Sequence, residues 1–495
     1  MTFLLHLLGF VIYRFRRFEL YLEVHHRDLA TPTPPATQRI FNTGHEVGHR
    51  AQQQFPNGIL IDAEYYEKQK ALDTTKEAVA SGKNAFFEPA FLYDNVFIRI
   101  DVLRPNGDTW DLIEVKSVLT VSDTHIIDAA VQRYVTEGAG LTINKCYIMH
   151  LCRDCEFPDL SNLFILDDVT PQVANLLPTI PDQVATFNQI IADSETPDIP
   201  IGKHCDSPYT CLFKAHCWQH VAEPSIFCIP RISAKKIDQL VSQGITSIHE
   251  IADDFKLSEN QQRHVDVFKN NKPQILWPAI CDQLATLQYP LHFLDFETQM
   301  EAIPRLPGLR PFNQYPFQFS LHILHEDGTL DHFEYLHRDA SDPREPLAKA
   351  LIDTVDPTGT IIAYNASFEI RVIGNLAWRI PSLRHSLYRL RDRFLDLLPI
   401  FRDYYFHAGF LGSNSIKDVL PVLVPELSYT NLDVHGGDEV QLAWLELITT
   451  DDQSKRLELA TSLLAYCRLD TLAMVRLYQP LQRDLEQYRS IVLPG

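Results

Sequence analysis

Apolar and polar positions change period several times along this chain. Residues 86–93, 96–103 and 110–116 are rich in aromatic and β-branched side chains, and Asn106-Gly107-Asp108 between the last two is a tight hairpin signal. This predicts three strands, then a helix from Asp123 to Glu137 ended by Gly138 and Gly140, then a strand from Cys146 to Leu151. Upstream, helices are predicted over Phe15–Val24, from Thr37, and over 66–81, with a strand at 59–66. A helix is predicted near 181–193. Between 225 and 280 helical periods dominate: Ile232 to Gln243, His249 to Phe255, and Ser258 to Asn270, with Gly244 at a turn. From 288 strands return at Leu291–Leu294, Phe317–Leu324, Leu330–Leu336 and Thr360–Asn365. They interleave with helices at Asp342–Val355, after Ser367, and around Tyr466–Asp470. Interleaved strands and helices predict an α/β protein.

At 495 residues the chain is too long for one core. Three domains are expected: 1–222, a helical connector at 223–284, and 285–495. Apolar content of 45% and charged content of 22% are those of an ordinary globular protein. A formal net charge of −20 argues against gripping nucleic acid through overall positive charge, but leaves room for local basic strips. Nine cysteines without a regular framework point to a reducing, cytoplasmic setting, where a cysteine cluster reads first as a metal or iron–sulfur site. The apolar run Met1–Tyr13 is too short to span a bilayer and has no signal-peptide pattern, so a buried first helix is expected. No later stretch is apolar enough to cross a membrane.

Five groups of residues carry candidate chemistry. Asp295 and Glu297 are two apart on a strand and so share a face. Such carboxylates repel unless a cation lies between them, and Mg²⁺ or Mn²⁺ suits oxygen ligands. A half-buried strand with a polar face would look the same. Later, Glu369 stands at a strand-to-helix junction, and Tyr466 and Asp470 are one helical turn apart. In the first half, Glu114 and Lys116 share a strand face, Asp101 lies one strand earlier, and Gln132 and Tyr134 one helix later. A carboxylate pair with a lysine beside it can hold a metal, while the lysine positions or helps deprotonate water, or stabilises charge building on phosphorus. Cys205-x5-Cys211-x5-Cys217, in a loop with Pro208 and Tyr209, favours a soft metal. Finally, six arginines, Arg371, Arg379, Arg384, Arg389, Arg391 and Arg393, stand with one acid, Asp392, and with Trp378 and Tyr388 between them. They form either a track for a single strand or a solvated helix face.

These motifs carry a resemblance. Residues 40–220 resemble a RecB-like PD-(D/E)xK nuclease domain, of restriction-endonuclease-like fold. Asp101, Glu114 and Lys116 match its motif, and Gln132 and Tyr134 resemble the helix motif that follows it, although two residues apart rather than a turn. Its first motif would fall on His45, Glu46 or His49. The second half resembles a DnaQ-like 3′–5′ exonuclease of the DEDD class, tyrosine subtype, on an RNase H-like mixed sheet, with Glu369 where Asp is usual. With Pro304-Arg305-x-Pro307-Gly308 and Gly412-Ser-x-Ser-x-Lys417-Asp418, the whole is similar to a bacterial family fusing the two domains.

The resemblance implies a hydrolase of phosphodiester bonds acting on nucleic acid, DNA with free ends foremost, in repair or defence. Mg²⁺ or Mn²⁺ would serve both sites: Asp101 and Glu114 with His45 or Glu46 in one, Asp295, Glu297 and Asp470 in the other, with Glu369 assisting and Tyr466 orienting water or acting as base. It also implies a 4Fe-4S cluster on Cys205, Cys211 and Cys217 with a fourth cysteine near the N-terminus. Arg16 stands about there, so either Cys152, Cys155 or a histidine substitutes, or the cluster is absent, or the start of this chain is atypical. The helix–Gly-turn–helix of the connector resembles a helix-hairpin-helix, or is a plain linker. The alternatives are a nucleic-acid-binding scaffold with one or both sites inactive, and an RNA exonuclease.

Overall fold

The computed structural model describes residues 5–6 and 17–492, apart from residues 65, 194–196, 198, 208–209, 222 and 435. Its contacts divide the chain into two units: residues 1–220 with 301–313, and residues 221–300 with 314–495. Both are mixed α/β, each with a mixed sheet. Among the described residues no helix is long and apolar enough to cross a membrane.

The first unit contains β1 (Leu5–His6), α1 (Arg17–His25), α2 (Pro35–Gln52), β2 (Ile59–Leu60), α3 (Lys68–Val79), β3 (Phe86–Phe87), β4 (Ala90–Tyr93), β5 (Val96–Arg99), β6 (Val102–Asn106) and β7 (Thr109–Lys116). There follow α4 (Asp123–Gly138), β8 (Ile143–Leu151), β9 (Phe164–Asp168), α5 (Thr170–Leu176), α6 (Ile180–Ala192) and α7 (Lys214–Cys217). A six-stranded sheet runs β2-β3-β6-β7-β8-β9, parallel at β2/β3 and β7/β8 and antiparallel elsewhere. A smaller sheet runs β1-β5-β4. Helix α4 turns Ala130, Val131 and Val135 onto Leu103, Leu112 and Ile148 of the larger sheet. Each such buried Val, Leu or Ile side chain contributes about 1.5–3 kcal/mol.

The two strands expected over 86–93 and 96–103 are each broken in the middle. Pro89 has no N–H for a ladder, and Glu88 before it adopts a left-handed backbone with φ +58°. Opposite, the Glu88 N–H donates to the Asp101 carbonyl at 3.3 Å and the Ile100 N–H to the Pro89 carbonyl at 3.0 Å. At this corner the hairpin passes from the small sheet to the large one. The strand expected over 59–66 is confined to Ile59–Leu60. The first helix expected over Met1–Tyr13 lies outside the described residues except Leu5–His6, which pair as a strand, parallel to Val96–Phe97.

The second unit contains α8 (Ala234–Val241), α9 (Glu259–Asn270), β10 (Gln274–Ile275), α10 (Trp277–Leu284), β11 (Leu291–Met300), β12 (Gln314–Leu324), β13 (Leu330–Leu336), α11 (Arg344–Thr354) and β14 (Thr360–Ala363). Then come α12 (Ser367–Arg379), α13 (Arg384–Arg391), β15 (Phe394–Asp396), β16 (Tyr405–Phe406), α14 (Ile416–Leu423), α15 (Gly437–Thr449) and α16 (Gln453–Val492). Its main sheet runs β13-β12-β11-β14-β15. β13, β12 and β11 are antiparallel, and β11, β14 and β15 are parallel. Leu294 and Phe296 of β11 point to the core made with α11, α12 and α13. Strand alternation therefore turns Asp295 and Glu297 to the opposite face. Helix α16 packs there, and its Leu463 carbonyl accepts from Gln318 at 2.8 Å.

The expected connector belongs to this second unit. It keeps a small core of its own, with Ile226, Ile237, Leu240, Ile248, Val265 and Phe268. β10 pairs with β16, and the His264 ring meets Phe406 edge-on at 5.0 Å. The helix expected over His249–Phe255 is a single 3-10 turn, Ile248–Glu250, because Ile251 is already extended.

Candidate functional sites

In the second unit, the parallel ladder pairs Leu291–Phe293 with Thr360–Ile362, and Asp295 and Glu297 come just beyond it. Helix α16 brings Tyr466, Cys467 and Asp470 to the same place, all buried. Glu369, in the first turn of α12, is only 2% exposed. Asn365 at φ +73° makes the turn into this helix, and its N–H donates to Asp396 at 2.9 Å. The structure thus brings Asp295, Glu297, Glu369, Tyr466 and Asp470 together.

Burial raises Asp295 and Glu297 well above the usual carboxylate range, and Asp470 adds to both. Both keep part of their surface open to solvent. Asp470 is pushed up to about 6 by burial, against the Tyr429 hydroxyl, which donates to it at 2.7 Å, and the Lys417 charge. Burial pushes Glu369 up to about 8, although its own backbone N–H bonds the carboxylate. Its other oxygen, Oε2, has no hydrogen-bond partner. Crowded, buried acids with an orphaned oxygen fit a divalent cation, which would relieve both faults. Asp295, Glu297 and Cys467 each offer a ligand atom, all within 4.8 Å of one another. Burial and the acids also raise the Tyr466 hydroxyl, so it stays protonated and can donate.

Sequence patterns did not single out Lys417, Tyr429 or Cys467 as site residues. Lys417 lies 5.0 Å from the Tyr466 ring and 5.4 Å from that of Tyr429. The one signal was the Gly412-Ser-x-Ser-x-Lys417 run, in which Ser415 caps α14 and accepts from the Lys417 N–H.

In the first unit, the Val115 N–H donates to Asp101 at 2.6 Å, and Lys116 pairs with Glu114 at 2.8 Å and Asp128 at 2.7 Å. Gln132 donates to Glu114 at 2.5 Å from the facing helix, leaving its buried Oε1 without a partner. Burial raises Asp101 well above its ordinary range, and Glu114 and Glu88 add to this. Burial alone would lower Lys116, but Glu114 and Asp128 raise it strongly, so it stays cationic and stabilises negative charge rather than taking protons.

Tyr134 does not join this group. Its hydroxyl donates to Asp94 at 2.9 Å and its ring meets Tyr93, because a spacing of two residues turns it about 200° round the helix from Gln132. His45, Glu46 and His49 are exposed on α2, which turns Val47 and Ala51 inward, and Glu46 accepts from Arg305 at 3.1 Å. Besides Asp128, the acid that acts on this cluster is Glu88, at the sheet-changing corner. Its sequence signal was an acid followed by proline within an apolar strand pattern.

Cys205, Cys211 and Cys217 line a small cavity with His204 and with Phe18, Glu19 and Leu22 of α1. Arg16, Pro208 and Tyr209 lie outside the described residues. Of the substitutes for a fourth ligand, His204 lines this cavity, whereas Cys152 and Cys155 pack around Leu151 and Leu163. Burial would raise the Cys205 thiol, but hydrogen bonds with His204, the Gly202 backbone and Trp218 bring it below the usual thiol value.

The arginine series divides. Arg393 donates to the carbonyls of Gly359 and Asp356 at 2.7 Å each, and to Thr358, so it is a structural tie. Arg384 donates to the Ala377 carbonyl at 3.2 Å. Arg391 stacks on Tyr388 at 4.5 Å and pairs with Asp392, and Arg379 acts on Asp342. Arg371 and Arg389 are exposed, and Trp378 on α12 is 64% exposed.

A family model described as Domain of unknown function (DUF2779) matches residues 292–415. The match holds Asp295, Glu297 and Glu369 and ends before Lys417, Tyr466 and Asp470. No curated protein matches the chain.

Proposed function

We propose that the chain is a metal-dependent nuclease with two phosphodiester-hydrolysing sites, acting foremost on DNA with free ends. The observation that carries this is the convergence of Asp295, Glu297, Glu369 and Asp470 from three elements on one buried spot, with Tyr466 one turn from Asp470. The sheet order β13-β12-β11-β14-β15, with its first three strands antiparallel and the rest parallel, supports an RNase H-like reading of the second unit. The antiparallel β6–β7 hairpin, crossover helix α4 and parallel β8 support a PD-(D/E)xK reading of the first.

Asp295, Glu297 and Asp470 would hold Mg²⁺ or Mn²⁺ with Glu369 assisting, and Glu88, Asp101 and Glu114 would hold it in the first unit. When bound, such ions activate water and stabilise the leaving oxygen. Tyr466 orients the water through its retained proton, and Lys116 faces the charge on phosphorus. Trp378 and Arg371 offer a stacking and charge surface for a strand. Cys205, Cys211 and Cys217, with His204, would hold an iron–sulfur cluster, which visible absorbance after anaerobic purification tests.

The activity test is cleavage of end-labelled single- and double-stranded DNA and RNA with Mn²⁺ by wild type, Asp295→Ala and Lys116→Ala. A partial loss in each variant is expected, since each removes one site. No cleavage of any substrate, or cleavage untouched by either substitution, sinks the proposal and favours a nucleic-acid-binding scaffold. RNA cut in preference to DNA makes it an RNA exonuclease.

A further inference from the structure

Cys467 has no part in the mechanism above, yet it sits inside the acidic site. Its Sγ lies 3.7 Å from Asp295 Oδ2 and 3.8 Å from the Asp295 carbonyl. The side chain is fully buried on α16, between Tyr466 and Asp470. The thiol and one oxygen from each of Asp295 and Glu297 lie within 4.8 Å of one another. Ligands sharing one zinc ion, at about 2.0–2.3 Å from it, stand up to about 4 Å apart, so less than an ångström of side-chain movement closes the set. A second observation bears on the same acids. Glu369 Oε2 is buried and unpartnered, and its carboxylate acts on both Asp295 and Glu297.

We infer that Asp295, Glu297 and Cys467 form a site for a thiophilic divalent ion, Zn²⁺ foremost, with the Cys467 sulfur as a ligand. Mg²⁺ prefers oxygen alone, whereas sulfur favours zinc, and zinc binds mixed sites more tightly than manganese. The thiol proton leaves to solvent as the metal–sulfur bond forms. Zn²⁺ would therefore compete with the activating ion for this site. This rests on the reading of Asp295 and Glu297 as metal ligands.

The experiment titrates the metal-free full-length chain with Cd²⁺ alone, following thiolate-to-metal charge-transfer absorbance in the near ultraviolet. In Cys467→Ser the sulfur is lost and the size kept, so one class of absorbing sites disappears while any at Cys205, Cys211 and Cys217 persists. In Asp295→Asn, which leaves Cys467 in place, the same class weakens about tenfold or more. Circular dichroism establishes that each variant is folded, and either variant suffices for the comparison. Wild-type titration curves in both variants overturn the inference and leave Cys467 as a packing residue. The failures are distinguishable. If Mn²⁺ supports DNA cleavage while the Cd²⁺ titration ignores both substitutions, only the thiophilic site falls. If Cd²⁺ binding needs Cys467 but no nucleic acid is cut, only the nuclease reading falls.

Discussion

Asp470 shows what an acid buried in the proposed site costs the fold. Its carboxyl is held up to about 6, above the ordinary value of roughly 3.9, because it is buried. A carboxyl with a raised folded value binds its proton more tightly when folded, so its stabilisation is present below about pH 4 and is lost as pH rises through 6. Asp470→Asn should therefore stabilise the metal-free chain at pH 8 by roughly 1–3 kcal/mol and do nothing at pH 4, while removing the second unit's share of Mn²⁺-dependent cleavage. Denaturant titrations at the two pH values check it. Lys116 is the opposite case, since it neutralises Glu114 and Asp128 at 2.8 and 2.7 Å. Lys116→Ala should cost about 2–4 kcal/mol by stranding these acids, and adding Asp128→Ala should recover part of it, as a double-mutant cycle would measure.

Elements place these residues, and small features hold the elements. Gly412 has φ +77°, and a Cβ there would come within 1.6 Å of the Cys228 carbonyl. Gly412→Ala should shift the loop that delivers Lys417, lowering the denaturation midpoint and weakening metal binding together, read by calorimetry of both. Helix α12 presents Arg371, Asn375 and Trp378 on one exposed stripe, because they are four and three residues apart. Trp378→Ala should weaken single-strand binding by about 1–3 kcal/mol without changing stability. Arg393→Ala should instead lower stability and leave binding alone, since its donors are spent on Gly359, Asp356 and Thr358. Fluorescence anisotropy with a labelled oligonucleotide, beside thermal denaturation, separates the two.

At the scale of the molecule, two acidic clusters burden the metal-free chain as pH rises. Glu369, held up to about 8, extends the loss of stability to that pH. Mn²⁺ should accordingly raise the denaturation midpoint more at pH 8 than at pH 5, where protons compete for the carboxylates. Equal shifts at both values would mean that the ion binds elsewhere. Two sites also predict that Asp295→Ala and Lys116→Ala each leave part of the cleavage and that only the double variant is inert.

The sequence by itself determined the faces. Strand alternation places Asp295 with Glu297 and Glu114 with Lys116, and helical spacing places Tyr466 with Asp470, because both periods are local backbone geometry. It also determined most elements, since runs of alternating or turn-spaced apolar residues have one comfortable way to be buried. What it could not determine is which distant side chains meet. Glu88 joins Asp101 only because two strands break opposite each other, Cys467 meets Asp295 only because α16 lies along β11, and Arg393 turns inward to three carbonyls. Those outcomes depend on packing between elements far apart in the chain, for which a single sequence carries no local period.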